Sequence, residues 1–563
     1  MRFRFGLLIL AVLVAACGDD DNRPRSTPTA TVTHTATAVP SATATATAPP
    51  TTTHTASATP SPTPTATATV SPSPTATRDP LALSALRAAP DVENGGRIVD
   101  AAGREVLLRG VNVNAYAEYW QGTEFPTVFP LADEDPELMA TIGWSAVRLL
   151  LSWSRVEPSP GIYDDAYLAT VRDAARRLVA SGLYVILDLH QDAWGPTLAA
   201  RPDEVCGAAE TPAFGWDGAP GWATLDQNQP RCATASVREL SPAVVTSFTN
   251  FFNDAPGPGG VGIRTRYAQM LGHVAGYFAT EPGIAGYDLI NEPNAFSDAA
   301  IAGLGALYGD ALAAIRAGEE AGGGPTRLVF FEPAAAWSLF GGGAPPDFPR
   351  DADIVYAPHI YAGGIDPRPL DAVPFQTARD EAALFGGAPV LVGEWGGDPH
   401  RAADPTDSYF REHQRLQDQF ANGATLWTWR ESCGDPHKAG DFRAGNLPQV
   451  WGVFEVDCTT NAVTGLRQPL IDALTHGYVR AAPGHLEETR FDPIAGTLEA
   501  SGSGANAGVD LLAFYPAARF GGPVVSGSGL SELRTLPAPG GSVYIVGTAS
   551  GGAWTLTARQ ADD

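Results

Sequence analysis

Between residues 81 and 480 the sequence alternates short apolar runs with longer amphipathic stretches, and this alternation restricts the fold more than any other feature. Runs this uniformly apolar suit parallel strands covered on both faces. They fall at 106–114, 146–151, 183–190, 284–291, 327–332, 353–359, 389–394 and 424–429. Between them the periodicity is helical. Over 164–181, Ala, Leu and Val recur at three- and four-residue spacing, and Gly182 supplies a C-terminal stop. Eight strands with intervening helices predict an α/β chain folded as a (β/α)8 TIM barrel over 81–482.

Two of the runs end abruptly in a glutamate. Gly286-Tyr-Asp-Leu-Ile-Asn291-Glu292-Pro293 closes the fourth predicted strand, and Pro389-Val-Leu-Val-Gly-Glu394-Trp395-Gly396 the seventh. The C-terminal ends of barrel strands are where such folds place residues meant for chemistry. A pair of carboxyls there is what acetal cleavage requires: one protonates the leaving oxygen, and the other attacks or stabilises the anomeric carbon. The pair therefore points to a glycosidase. Singly, each signal is weak, since a strand-end glutamate more often forms a salt bridge and a lone His190 more often satisfies a core.

The chain has 563 residues, of which 44% are hydrophobic and 17% charged, enough to bury a sizeable core. Its formal net charge of −26 and lack of a basic patch argue against a nucleic-acid partner. At the N-terminus, Arg2 and Arg4 precede an apolar run over 5–16, too short to span a bilayer and typical of an export signal. That run ends in Val14-Ala15-Ala16-Cys17, which resembles a bacterial lipobox. Residues 1–17 then read as a lipoprotein signal, with Cys17 lipidated and the protein held on the membrane surface of the cell envelope. Residues 18–80, almost wholly Thr, Ala, Pro, Ser and Val over most of their length, read as a disordered tether.

Cys206, Cys232, Cys433 and Cys458 remain. An even number in an exported chain favours disulfides, and sequence proximity favours Cys206–Cys232 and Cys433–Cys458 among three connectivities. A Pro-, Gly- and Trp-rich insertion over 193–258 holds the first pair and has the size of a loop that shapes a substrate cleft. From 483 to 563 short alternating runs, at 497–501, 509–515, 542–548 and 554–559, predict a small antiparallel β-sandwich. It could bind carbohydrate or pack against the barrel, and packing is the favoured reading.

Taken in order, the motifs resemble glycoside hydrolase family 5, and within it the endoglycoceramidase-related branch. The resemblance is carried by Gly110-Val-Asn112-Val-Asn114, Val147-Arg148-Leu149, Leu187-Asp188-Leu-His190-Gln-Asp192, Asn291-Glu292-Pro293, Pro358-His359-Ile-Tyr361, Gly393-Glu394-Trp395-Gly396 and Trp427-Thr-Trp429. It implies a retaining mechanism in which Glu394 is the nucleophile and Glu292 the acid/base, with carboxyl oxygens about 5 Å apart. Arg148 would keep Glu394 ionised, and Glu292 would hold a proton at rest with the higher pKa of the pair. Asn291 would donate to the sugar 2-hydroxyl, Tyr361 steady the nucleophile, His190 and His359 bind the sugar or the carboxyls, and Trp427 floor the sugar ring.

A glycolipid is the implied substrate, no cofactor or metal is called for, and the enzyme is expected to act as a monomer. The alternatives are a β-glycosidase or endoglucanase acting on oligo- or polysaccharides, and an inactive carbohydrate-binding barrel. Gly257-Pro-Gly259-Gly-Val-Gly262 fits a dinucleotide-loop pattern in letters only, since it follows no strand and contains proline. His190-x-Asp192 lacks the partner set of a metal site, and no Gly-x-Ser-x-Gly elbow supports an esterase.

Overall fold

The computed structural model describes residues 79–234, 237–366, 368–441 and 450–561. The signal segment, Cys17 and the tether up to residue 78 lie outside the described residues.

Eight parallel strands form the barrel: β1 (Arg109–Val113), β2 (Ala146–Ser152), β3 (Tyr184–His190), β4 (Ile284–Asp288), β5 (Leu328–Phe331), β6 (Ile354–Tyr356), β7 (Leu391–Trp395) and β8 (Gly423–Leu426). They pair in the order β6-β5-β4-β3-β2-β1-β8-β7. A bridge between Tyr356 and Val390, with Tyr356 N–H donating to the Pro389 carbonyl at 2.9 Å, brings β6 alongside β7. Each predicted apolar run contributes one of these strands.

The first run is divided. Arg104–Val106 pairs antiparallel with Tyr478–Pro483 in a different sheet, and only Arg109–Val113 enters the barrel. The chain crosses at Leu107, whose N–H donates to the Arg480 carbonyl, and Leu108, whose carbonyl accepts from Ala424. Both sheets bury their residues here, so the sequence stays apolar across the crossing and periodicity carries no mark of it.

Alternation along the strands separates two cores. Val147, Leu149, Val185, Leu187, Val329 and Phe331 cluster with the surrounding helices, including Asp165–Ala180 and Ile263–Phe278. Their neighbours Ala146, Tyr184, Ile186, Leu328, Phe330 and Leu391 cluster instead with the antiparallel sheets. These residues lie toward the N-terminal ends of their strands, so the sheets plug that end of the barrel and leave the opposite end for chemistry.

The antiparallel part comprises a seven-stranded and a four-stranded sheet. The smaller holds His485–Asp492, Thr497–Ala505, Gly552–Gln560 and Pro523–Ser528; the larger takes Leu86–Ala89, Arg97–Asp100 and Arg104–Val106 from before the barrel. The boundary drawn at 482/483 therefore falls inside the strand Tyr478–Pro483, and the larger sheet joins segments from both sides of the barrel. Strand partners this distant leave no local mark in sequence, because each strand shows only its own periodicity.

The helix Asp298–Gly322, which follows β4, is long and apolar enough to cross a membrane by composition, yet half of its most apolar window is buried inside the protein. It packs on Ile263–Phe278 through glycines: a Cβ on Gly318 would lie 2.1 Å from the Gly272 carbonyl. Both disulfides occur as favoured by proximity, Cys206–Cys232 with Cα atoms 5.7 Å apart and Cys433–Cys458 with 5.4 Å.

Candidate active site

The inward register that packs the lower barrel carries polar groups at its upper end. Following Ala146 on β2 by two residues brings Arg148 inward; following Ile186 on β3 brings Asp188 and then His190. Arg148 is fully buried. Its Nε donates to Asp288 Oδ2 at 2.9 Å, one terminal nitrogen to Glu394 Oε1 at 2.8 Å, and the other to Glu332 Oε1 at 2.9 Å and Asn291 Oδ1 at 3.0 Å. Asp188 Oδ1 lies 3.0 Å from the same group. One guanidinium thus faces four carboxylates. Burial alone would lower the Arg148 pKa, but those carboxylates raise it well above its usual value and keep it charged. Burial and neighbouring carboxylates push Asp288 up to about 8 despite Arg148.

Glu394 reaches the site through a break in strand register. Val392 pairs with Ala424 and Trp395 with Leu426, leaving Gly393 and Glu394 opposite the single residue Thr425. Val392 and Trp395 both pack toward the helices. The extra residue lets Gly393 and Glu394 both turn inward, the re-aiming that a bulge achieves beside a functional site. Gly393 is required by space, since a Cβ there would lie 2.9 Å from His359 Nε2. Tyr361 donates its hydroxyl to Glu394 Oε2 at 2.7 Å. Burial first, then the charge of Glu394, holds the Tyr361 phenol well above its usual pKa, so it remains a donor.

Glu292 sits in the left-handed region, with φ of 38°. A non-glycine residue keeps such a backbone only where its surroundings over-determine it. Here its N–H donates to Glu332 Oε2 at 2.8 Å, and Gln191 Nε2 donates to the carbonyls of Asn291 and Glu292 at 2.7 and 2.9 Å. The Glu292 carboxyl meets His359 Nδ1 at 2.8 Å. Carboxylate oxygens of Glu292 and Glu394 and a ring nitrogen of His359 all lie within 4.8 Å of one another.

His359 is ringed by carboxylates: Glu332 Oε1 at 3.1 Å from Nε2, and Glu394 Oε2 at 3.5 Å from the same Nδ1 that meets Glu292. Burial would lower its pKa, but Glu332, Glu394 and Glu292 hold it well above the usual imidazole range. Glu292 moves the other way. Burial raises it, and the hydrogen bond and charge of His359 outweigh that, leaving it below the usual carboxylate range. This differs from the expectation that Glu292 holds the proton at rest.

Asn291 accepts from Arg148 and gives one amide hydrogen to the Gln191 carbonyl at 3.1 Å, which leaves its second amide hydrogen for a ligand. Trp427 stacks on His190 with centroids 5.3 Å apart and ring planes at 17°, and clusters with Tyr119, Tyr361 and Trp451. All eight expected site residues, Arg148, His190, Asn291, Glu292, His359, Tyr361, Glu394 and Trp427, therefore meet at one end of the barrel.

The structure adds residues that motif reading did not assign. Asp188, Asp288 and Glu332 were legible in principle, because a charge inside an apolar run is costly unless it is paired. A further polar wall stands beside His190, which contacts Asp188 Oδ2 through Nδ1 at 2.7 Å. In it His437 contacts Asp435 through Nδ1 at 2.8 Å and Asp192 through Nε2 at 3.1 Å, while Arg238 donates to Asp192 at 2.6 Å. Asp217 is fully buried, and burial, countered in part by the charge of His190 and reinforced by that of Asp192, pushes its carboxyl up to about 7. Asp217 and His437 come from the insertion and from the loop after β8, and each of these loops contains a disulfide.

Among the described residues, carboxylates and imidazoles come together in three groups of metal-binding type: His190 with Asp192 and Asp217, Glu292 with His359 and Glu394, and Glu431 with Asp435 and His437. Members of all three are already engaged by protein groups, Asp192 by Arg238, Glu394 by Arg148 and Tyr361, and Asp435 by His437.

Residues 99–432, which hold this barrel with both glutamates, match the family model Cellulase (glycosyl hydrolase family 5). The chain belongs to glycosyl hydrolase family 5. Within this family it is similar to endoglycoceramidase I of Rhodococcus hoagii (strain 103S), 28% identical over 292 residues that make up 48% of this chain and 52% of that one. It is also similar to an endoglycoceramidase of Hydra vulgaris, 25% identical over 35% of this chain and 39% of the relative. The chain thus spans about half the length, or less, of these curated relatives. Among solved structures it is similar to a crystal structure of an endogalactoceramidase, at 35% identity and a TM-score of 0.73, covering 84% of this chain and all of the other.

Proposed function

We propose that this family 5 member is a retaining β-glycosidase acting on glycolipids. The observation that carries the mechanism is the spacing of Glu292 and Glu394. Carboxylate oxygens within 4.8 Å fit the roughly 5 Å of retaining enzymes and leave no room for the water that inverting enzymes hold across ~6.5–9.5 Å.

In the first step Glu394 attacks the anomeric carbon, the glycosidic C–O bond breaks, and Glu292 gives its proton to the departing oxygen. That proton comes from His359 Nδ1, 2.8 Å away. A bound aglycone desolvates Glu292, which favours its neutral form and draws the proton across. In the second step Glu292 takes a proton from water, whose oxygen attacks the anomeric carbon and frees Glu394. Arg148 and Tyr361 stabilise the ionised nucleophile before and after, Asn291 presents its spare amide hydrogen to the sugar, and Trp427 with His190 forms the wall against which the ring lies.

The glycolipid assignment is supported by the relatives, named endoglycoceramidase and endogalactoceramidase. Phe296 and Ile365, exposed on segments that follow β4 and β6, supply apolar surface at the same end of the barrel. The two antiparallel sheets are proposed to act as a β-sandwich module whose role is to plug the barrel, since their core is continuous with its lower interior. A lipid anchor at Cys17 and a monomeric state complete the proposal.

Product analysis on a panel of glycosphingolipids and β-glucans tests it, with Glu394→Gln as the control for contaminating activity. Release of free ceramide with intact glycan or sugar is the expected result. Cleavage confined to β-glucans would replace the substrate assignment, and no cleavage of either would leave an inactive carbohydrate-binding barrel.

A further inference from the structure

We propose that Glu332 is a positioning residue of this reaction, holding the acid/base Glu292 in its working conformation and tying it to the partners of the nucleophile. The inference rests on the assignment of Glu292 given above.

Glu332 directly follows β5 and is almost completely buried. Its Oε2 accepts the N–H of Glu292 at 2.8 Å, the contact that faces the positive φ of that residue. Its Oε1 accepts from Arg148 at 2.9 Å and lies 3.1 Å from His359 Nε2. One carboxylate therefore fixes the backbone of the acid/base with one oxygen. With the other it orients the guanidinium that faces Glu394 and sets a negative charge beside the imidazole that faces Glu292.

Its own backbone is held in turn, since the Tyr308 hydroxyl donates to the Glu332 carbonyl at 2.6 Å. A glutamine in its place has one acceptor oxygen for two donors; with that oxygen drawn to the Arg148 guanidinium, its NH2 group faces the Glu292 N–H, donor against donor, and the φ of Glu292 loses its support. The Glu292 carboxyl would then swing from His359 and from the leaving oxygen. A defect of that kind falls on proton delivery, so it should depend on how much proton help the leaving group needs.

The test uses the full chain carrying Glu332→Gln, with folding checked by circular dichroism, on an alkyl glycoside and a dinitrophenyl glycoside of the same sugar. The kcat for the alkyl glycoside should fall roughly 10²-fold with KM little changed, as for a misplaced catalytic group, while first-turnover release of dinitrophenol falls no more than about threefold. Equal losses on both substrates, or no loss on either, would overturn the proposal. Glu292→Ala run in parallel separates the two assignments. If Glu292→Ala is selective for the poor leaving group and Glu332→Gln is not, only the role of Glu332 fails. If Glu292→Ala is itself unselective, the acid/base assignment falls and this inference with it. Should Glu332→Gln not fold, Glu332→Asp keeps the charge but shortens the reach to the Glu292 N–H. A selective loss in that variant supports the proposal, and a uniform loss overturns it.

Discussion

Nδ1 of His359 lies 2.8 Å from Oε1 of Glu292 and 3.5 Å from Oε2 of Glu394, and Nε2 of the same ring faces Glu332. Three carboxylates around one imidazole hold its pKa well above the usual range, and the bond to the ring holds that of Glu292 below the usual carboxylate range. In the proposed mechanism the acid is accordingly a pair, His359 and Glu292, rather than a single residue.

This arrangement sets the alkaline limit of activity. His359 has a pKa raised above its ordinary value of 6.5, so its proton is present below that raised value and is lost as the pH rises through it. Glu292, Glu332 and Glu394 are the carboxylates facing it, and Arg148 and Tyr361 stand behind Glu394. The kcat/KM profile on an alkyl glycoside should keep its alkaline limb above pH ~6.5, and His359→Asn should move that limb or abolish it. A limb at or below that pH in the wild-type protein would place the proton elsewhere.

Glu394→Gln should nearly abolish turnover while leaving the circular dichroism spectrum unchanged, because the amide keeps the shape and loses the nucleophile. Azide should not rescue that variant. It should restore activity to Glu394→Gly, where a small anion can occupy the place of the missing carboxylate, and the glycosyl azide formed should have inverted configuration. Nuclear magnetic resonance of the product decides it; a retained product would remove Glu394 from the first step.

Glu292→Ala should slow hydrolysis of an alkyl or ceramide glycoside by roughly 10²–10⁴-fold, the usual contribution of general acid catalysis. Glycosylation by a dinitrophenyl glycoside should persist, and the slow second step should let a covalent adduct build up on Glu394. A burst of dinitrophenol and added mass on the intact protein are the expected signatures, and their absence would count against the strand β4 assignment.

Cys17→Ser should release the protein from membranes in cells that export it, if Cys17 carries the proposed lipid. Fractionation of cells expressing the two forms reads this directly. An identical distribution of both would remove the anchor from the account.

Much of the barrel was legible because parallel strands covered on both faces need uninterrupted apolar runs, and every one of the eight runs contains such a strand. Glu292 and Glu394 were legible as strand-end residues in ordered motifs. Arg148, too, was found by its motif, whereas the carboxylates it binds from β3, β4 and β5 were not. Asp188, Asp288 and Glu332 belong to separate runs, and only closure of the sheet shows that they converge on one guanidinium.

What the chain determines by itself is the strand count, the helical stretches between, the positions of the two glutamates and the pairing of neighbouring cysteines, all properties of local pattern and spacing. Tertiary structure alone decided the rest. The bulge that turns Glu394 inward depends on the pairing of β7 with β8, and the crossing at Leu107 depends on Tyr478–Pro483, more than 370 residues away. The raised pKa of His359 depends on three carboxylates brought around it, two from just beyond β4 and β5 and one from β7. Electrostatic energy follows distance in space, and a sequence records distance only along the chain.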